Sequence, residues 1–239
     1  MTENQYIGDE LPIFARALNW KKYWSNLIKQ DTFVENSIEI GAGIGSNIPY
    51  LLRNSKQLYL LEPDTLFYKN YLYPYSLMYD SITVINGTIS DLEKKILLDH
   101  IYYIDVLEHI ENDKLELEKA TRILTDKGSI FILVPAHHFL FSEFDQSVGH
   151  FRRYTIKSLS QIIPTEYHIV NAKYLDSLGF CLSTVMKIFP KKISPTEKNI
   201  QIWDKYLVPL SKLLDKLLSY KVGKSLLVEI KSNAPGNLT

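Results

Sequence analysis

Ser37-Ile38-Glu39-Ile40-Gly41-Ala42-Gly43-Ile44-Gly45-Ser46 is where this chain declares its architecture. Residues 37–40 read as a short strand. Three of the ten glycines follow within five positions, and residues 46–53 then carry a helical pattern. Glycines at a strand end permit a tight turn and let a ligand approach the backbone closely. The turn feeds a helix N-terminus, whose free N–H groups favour negative or electron-rich ligand atoms. The spacing is G-x-G-x-G rather than the dinucleotide pattern G-x-G-x-x-G, and Glu39 precedes it. A carboxylate there is unsuited to a pyrophosphate and compatible with a cationic, phosphate-free nucleoside. Taken alone, the string also fits a glycine-rich turn that binds nothing.

Working outward, residues 57–62 read as a second strand ending in Glu62, 21 residues after Gly41. An acid at that place accepts hydrogen bonds from ribose hydroxyls. Pro63 and Asp64 open a second helix. Residues 82–85 form a third strand, stopped by Asn86-Gly87, and residues 100–104 a fourth. A helix over 113–124 is stopped by Asp126-Lys127-Gly128. Residues 129–134 are almost wholly apolar, as a strand buried on both faces should be. Residues 167–174 and 225–230 read as two further strands. Upstream, Pro12, Ile13, Ala17, Trp20, Trp24 and Leu27 recur at the spacing of one amphipathic helix. Strands alternating with helices imply βαβ units, a parallel sheet, and a ligand site beyond the carboxyl ends of its strands.

Composition narrows the class. The chain has 239 residues with 27 basic and 27 acidic side chains and one cysteine. That length provides for a sizeable core. One cysteine excludes an internal disulfide framework and a multi-thiolate zinc site and fits a reducing compartment. Neutrality argues against a nucleic-acid binder. Residues 1–10 lack a basic and apolar leader, and the longest charge-free stretch, 128–142, is too short to span a bilayer. A cytoplasmic protein without a transmembrane segment is expected. The neutrality is a cancellation: residues 187–224 hold nine lysines against Glu197, Asp204 and Asp215, a net of +6. They belong to an insertion, 175–224, with Trp203, Tyr206, Leu210, Leu213, Leu214, Leu217 and Leu218 at helical spacing. It reads as a cap over the substrate, a dimer surface or a peripheral membrane contact. A cap packed on the sheet is the favoured reading, and its charge suits an anionic acceptor.

Taken together the motifs resemble the class I S-adenosylmethionine-dependent methyltransferases. Glu39-Ile40-Gly41-Ala42-Gly43-Ile44-Gly45 resembles their first motif, Leu60-Leu61-Glu62-Pro63 their second-strand acid, and Tyr103-Ile104-Asp105-Val106-Leu107-Glu108-His109-Ile110-Glu111 the segment after their fourth strand. Ala17-Leu18-Asn19-Trp20, Val134-Pro135-Ala136, Gly149-His150-Phe151-Arg152-Arg153-Tyr154 and Leu207-Val208-Pro209-Leu210 are similar to a bacterial subfamily that often accompanies glycosyltransferases in polysaccharide biosynthesis. The match runs over residues 7–231. It implies one Rossmann-like α/β domain, 1–239, with a seven-stranded, mostly parallel sheet and an antiparallel last strand. Within it, 1–30 is a cap helix, 31–174 and 225–232 the core, and 175–224 the helical insertion. The resemblance further implies S-adenosylmethionine as cofactor. Glu39 would face its methionine end, and Gly41, Ala42, Gly43 and Gly45 would line it. Glu62 and Pro63 would hold the ribose, Thr88 and Ile89 would flank the adenine, and Asp105 and Val106 would close over the methionine side. Relatives often place an acid after Gly87, where this chain has Thr88.

The implied reaction moves a methyl group to a hydroxyl or amine of a small-molecule or glycan-type acceptor. Histidine suits proton removal near neutral pH. His137 and His138 follow the fifth strand, and His150 stands in the Arg-Arg loop; these three are the catalytic candidates, with loop-capping or positioning as the plainer reading of each. Arg152 and Arg153 can bind a carboxylate or phosphate bidentately. Adjacent residues diverge, so one is expected to face the ligand and the other to pair with Asp145 or Glu143. Tyr154, Asn19 and Trp20 complete the substrate candidates, with Tyr23 beside Trp20. His137, His138, Glu143 and Asp145 match no metal spacing, and no metal is expected. The competing readings are a non-catalytic cofactor-binding partner of a glycan-modifying enzyme and a nicotinamide-dependent oxidoreductase, which the glycine spacing disfavours.

Overall fold

The computed structural model describes residues 8, 10–28, 33–92, 96–188 and 196–233. Seven strands form one sheet: β1 (Val34–Ile40), β2 (Ser55–Glu62), β3 (Ile82–Asn86), β4 (Leu98–Ile104), β5 (Leu124–Pro135), β6 (Tyr167–Leu175) and β7 (Ser225–Ser232). Their order is β3-β2-β1-β4-β5-β7-β6. β1 pairs in parallel with β2 and β4, and β4 with β5. β7 runs antiparallel between β5 and β6. The chain reverses direction across the sheet between β1 and β4, the usual place for a ligand crevice in such folds.

Side-chain alternation explains why both faces are covered. Ile101 and Tyr103 of β4 join Ile38, Ile130 and Ile132 in one core, while Tyr102 and Ile104 join Leu58, Leu60, Phe131 and Leu133 in the other. Successive side chains of a strand point to opposite faces, so near-continuous apolar strands need a layer on each side. Trp20 and Trp24 pack in the second core.

The first helix, the helix after β1 and the boundary before β5 differ from the sequence expectation. The single helix over Pro12 to Leu27 is two, Leu11–Phe14 and Leu18–Leu27. The second begins where Asp204, far away in sequence, accepts hydrogen bonds from the Asn19 and Trp20 amides, a first-turn cap no local pattern announces. The helix expected over 46–53 is short, Ile48–Leu51, and tightens into a 3-10 turn. Asp126-Lys127-Gly128 does not close a helix: the helix ends at Arg122 and β5 starts at Leu124. Leu98 pairs with Leu124 and His100 with Ser129, so the extra β5 residues between them are accommodated as an irregularity.

The leucine stripe of the insertion is not buried. In the helix Val208–Leu217 the buried residues are Val208, Ser211 and Asp215, whereas Leu213 and Leu217 are 64% and 79% exposed. Polar anchoring sets this rotation. Asp215 accepts from the Asp176 and Ser177 amides and from the Tyr23 hydroxyl, and Ser211 donates to Asp176. Lys191 and Lys192 of the basic segment lie outside the described residues. No helix among the described residues is long and apolar enough to cross a membrane.

Candidate functional site

A cavity of about 490 Å³ opens at the carboxyl ends of the central strands, lined by Ile40 of β1, Leu61 and Glu62 of β2, Ile104 of β4 and Pro135 of β5. Its size is that of an ordinary small-molecule site. The turn after β1 forms its floor. Gly41, Gly43 and Gly45 all have positive φ, at 65°, 55° and 75°. At Gly41 a Cβ would come within 2.8 Å of Val106 Cγ2, so the turn also depends on the missing side chain for space.

Glu62 joins the two motifs. Its Oε2 accepts from the Gly43 amide at 2.7 Å and its Oε1 from the Asp64 amide at 2.8 Å. Burial raises its pKa, and the two backbone hydrogen bonds pull it back. The residue lines the cavity. Pro63, Gly87, Thr88 and Ile89 form the adjoining wall, and Thr88 and Asp91 close a capping box.

Of the other cofactor candidates, Ala42, Asp105 and Val106 line the cavity, and Glu39 and Gly45 do not. Glu39 is 1% exposed and lies behind Asn47, whose Nδ2 donates to Glu39 Oε1 at 2.7 Å. Asn47 Oδ1 in turn accepts from Lys21 Nζ at 2.6 Å. Asn47 and Lys21 are therefore the wall, and Glu39 is their buried support. Desolvation pushes the Glu39 carboxyl up to about 7, against the Asn47 hydrogen bond and the Lys21 charge. Burial likewise lowers the Lys21 ammonium. Gly45 packs against Ile48 and Leu72 instead of the cavity. Asp105 is open to the cavity with φ of 54°, a costly conformation for a residue with a Cβ and one that clusters at functional sites. Burial raises its carboxyl, while Lys21 and His150 pull it down.

The acceptor candidates divide. His150 lines the cavity, its Nδ1 2.9 Å from Asp145 Oδ1. Asp145 is 0% exposed and accepts Arg153 in a two-pronged pair, Nε at 2.8 Å and Nη2 at 2.9 Å, as well as the Ser142 hydroxyl and amide. Burial alone would raise the Asp145 carboxyl, but the hydrogen bonds from His150 and Arg153 hold it well below its usual range. An ionised carboxylate only accepts, so the His150 Nδ1–H is the donor of this hydrogen bond. Arg153 reaches the cavity wall with Nη1 unpartnered.

His137 and His138 do not line the cavity. The His137 ring stacks on Tyr174 at 4.8 Å, and His138 is exposed on a 3-10 turn. The left-handed backbone at His137 turns the chain off the sheet edge before either ring can face inward. Arg152 pairs with Asp113 at 2.6 Å and donates to the Ile110 and Glu111 carbonyls. Tyr154 is 2% exposed and donates to Asp113 and the Leu107 carbonyl. Asn19 donates to Asp204. These three hold elements together instead of touching a ligand. Trp20 lines the cavity beside Trp203, whereas Tyr23 is spent on Asp215.

Sequence reasoning passed over Lys21, Asn47, Asp176 and Lys224, which the fold brings to the wall from distant segments. Glu108 and His109 stood inside a quoted motif without a role, and both line the cavity. The charge also differs from expectation. Glu10, Glu62, Asp105, Glu108, Glu116, Asp145 and Asp176 face Lys21, Arg153 and Lys224. Such a lining opposes an anionic acceptor: of the insertion's described lysines only Lys224 reaches the wall, while Lys187, Lys198, Lys205, Lys212, Lys216 and Lys221 are exposed.

No family model and no curated protein matches the chain. Solved structures do. A chain of the Haloferax volcanii complex between the Trm112 methyltransferase activator and a putative methyltransferase is 14% identical, with 95% of each chain covered and a TM-score of 0.64. A Clostridium acetobutylicum S-adenosylmethionine-dependent methyltransferase is 12% identical over 95% of this chain and 96% of its own, with a TM-score of 0.60. The Bradyrhizobium japonicum N-methyltransferase NodS, in complex with S-adenosylhomocysteine, is 12% identical over 95% and 90%, with a TM-score of 0.58. Likeness at these identities is likeness of fold. The chain has the seven-stranded Rossmann-like fold of the class I methyltransferases, with the antiparallel strand that the motifs implied.

Proposed function

We propose that this protein is an S-adenosylmethionine-dependent methyltransferase acting on a hydroxyl or amine of a small, neutral or cationic acceptor. The observation that carries the reading is the Gly43–Glu62 clamp at the floor of a cavity of cofactor size. The wall fits the cofactor part by part. Glu62 offers acceptors to two ribose hydroxyls. Lys21 Nζ has donors beyond the one spent on Asn47, suited to a carboxylate, and Asp105 offers a carboxylate for an ammonium. Thr88 and Ile89 flank the remaining, adenine-sized side.

When bound, the cofactor supplies an electrophilic methyl group on a sulfonium. The chain's own task is to place the acceptor in line with that group, exclude water and remove a proton. Positioning of this kind carries much of the rate in two-substrate transfers. His150, held by Asp145, is the side chain placed to receive the acceptor's proton; such a group contributes about 10²- to 10⁴-fold. Trp20 and Trp203 shield the chamber from the insertion side. A non-catalytic binder needs no base in the chamber, so the place of His150 in the wall supports the enzyme.

The resemblance of residues 17–20, 134–136, 149–154 and 207–210 to a polysaccharide-associated subfamily supports a sugar-type hydroxyl or amino group, and the acidic wall favours an uncharged or amino sugar over a phosphorylated one. Exposed, unpaired Cys181 supports a reducing, cytoplasmic setting. The test is incubation with isotope-labelled S-adenosylmethionine and fractionated metabolites and glycans of the source cell. Label entering one acceptor together with S-adenosylhomocysteine is expected; no transfer to any fraction contradicts the reading.

A further inference from the structure

We propose that Glu108, His109 and His150 hold a divalent transition-metal ion at the acceptor end of the cavity. Glu108 carries the argument. It is 0% exposed, and neither carboxylate oxygen has a hydrogen-bond partner. A buried carboxylate without partners is costly, and native proteins rarely leave one so unless a bound ion or ligand satisfies it. Arg153, whose charge reaches Glu108, is held by Asp145 through Nε and Nη2, and its remaining Nη1 makes no hydrogen bond to Glu108. One ligand atom from each of Glu108, His109 and His150 lies within 4.8 Å of the others, with His150 Nε2 3.9 Å from Glu108 Oε1. A shift of about an ångström brings them to coordination distance, since metal–ligand bonds are roughly 2.0–2.2 Å.

The donor set has a recognised preference. Two imidazoles and one carboxylate with open positions suit Mn(II), Fe(II), Co(II) or Zn(II) over Ca(II) or Mg(II). The outer shell matches as well. His150 gives Nδ1–H to Asp145, which fixes its tautomer and aims Nε2 at the cluster, the arrangement that metal-bound histidines show almost without exception. The acid excess of the cavity wall supplies a favourable field for a cation. Open coordination positions would face the chamber, where a coordinated acceptor hydroxyl becomes more acidic. His150 is then a ligand, and the ion takes over the acidifying role assigned above to its ring. The inference rests on the cavity's being the transfer chamber.

The test uses the full, tag-free chain stripped with chelator. It is titrated with Co(II) by visible absorption and with Mn(II) and Zn(II) by calorimetry, and S-adenosylhomocysteine binding is measured on the same samples. One ion per chain is expected. His150→Ala and Glu108→Gln should each weaken it at least 100-fold, and Asp145→Asn by about 10- to 100-fold. The two ligand variants should bind S-adenosylhomocysteine close to the parent, which also shows that they fold. Absence of saturable binding at millimolar ion, or binding unchanged in both His150→Ala and Glu108→Gln, overturns the proposal. Ion binding without any S-adenosylhomocysteine binding would sustain the metal site and sink the methyltransferase reading, so the two failures are distinct.

Discussion

The Gly43 amide donates to Glu62 Oε2 at 2.7 Å, tying the turn after β1 to the end of β2. The same carboxylate accepts from the Asp64 amide. One side chain thus sets the relative position of the two segments that would hold a nucleoside, and in the proposed function it is also the acceptor for the ribose. Glu62→Ala should lower affinity for S-adenosylhomocysteine by about 100-fold or more, since it removes charge-assisted acceptors and strands the Gly43 and Asp64 amides. Calorimetric titration checks this, and unchanged affinity contradicts the ribose role.

Gly41 tests the floor by a different route. An alanine there would have φ of 65° and a Cβ 2.8 Å from Val106 Cγ2. The left-handed backbone costs about 1–2 kcal/mol, and the clash adds to it unless the Asp105–Val106 segment moves. Gly41→Ala should lower Tm and weaken cofactor binding together. Loss of neither would show that the turn is looser than its geometry.

Glu39 gives a pH dependence. Its folded carboxyl titrates near 7 against an ordinary 4.5, because burial outweighs the Asn47 hydrogen bond and the Lys21 charge, with Glu62 opposing ionisation as well. Between those values the folded chain binds the extra proton. Stability from this group therefore falls as pH rises from about 4.5 to about 7. Glu39→Gln keeps an acceptor for Asn47 and removes the titration. Above pH 7 it should be the more stable protein by up to about 3 kcal/mol. Urea unfolding at pH 5 and pH 8 measures the difference, and parallel pH profiles would refute it.

Asp145 is the hub of the acceptor loop, where it holds Arg153, His150 and Ser142. Asp145→Asn should cost about 3–5 kcal/mol, the usual loss when one partner of a buried ion pair is removed. By contrast Glu143→Gln on the same helix should cost under about 0.5 kcal/mol, as surface changes do. Equal, small effects on denaturation would mean the Arg153 pair is not structurally coupled to the loop.

The strands were legible because their signal is local: the apolar alternation of β4 and β5 sits in the residues themselves, and the glycines after β1 announce their turn. What failed to show depends on partners far away in sequence. Asp204 starts the helix at Leu18 from 184 residues downstream of Trp20, so Asn19 looked available for substrate. Asp113 claims both Arg152 and Tyr154, and nothing in Arg-Arg-Tyr distinguishes a spent arginine from a free one. The leucines of Val208–Leu217 have the spacing of a buried stripe, but the demand of buried Asp215 for its partners rotates the helix the other way. Lys21 reached the wall only through Asn47 and Glu39, a chain that exists once β1 and the first helices are packed.

The central claim is that the cavity at the ends of β1, β2 and β4 is built for S-adenosylmethionine. Isothermal titration of the unmodified protein with S-adenosylhomocysteine tests it most directly. The account predicts saturable binding at one molecule per chain that Glu62→Ala abolishes or weakens about 100-fold. No heat and no thermal stabilisation at millimolar ligand, with the protein shown to be folded, would contradict it.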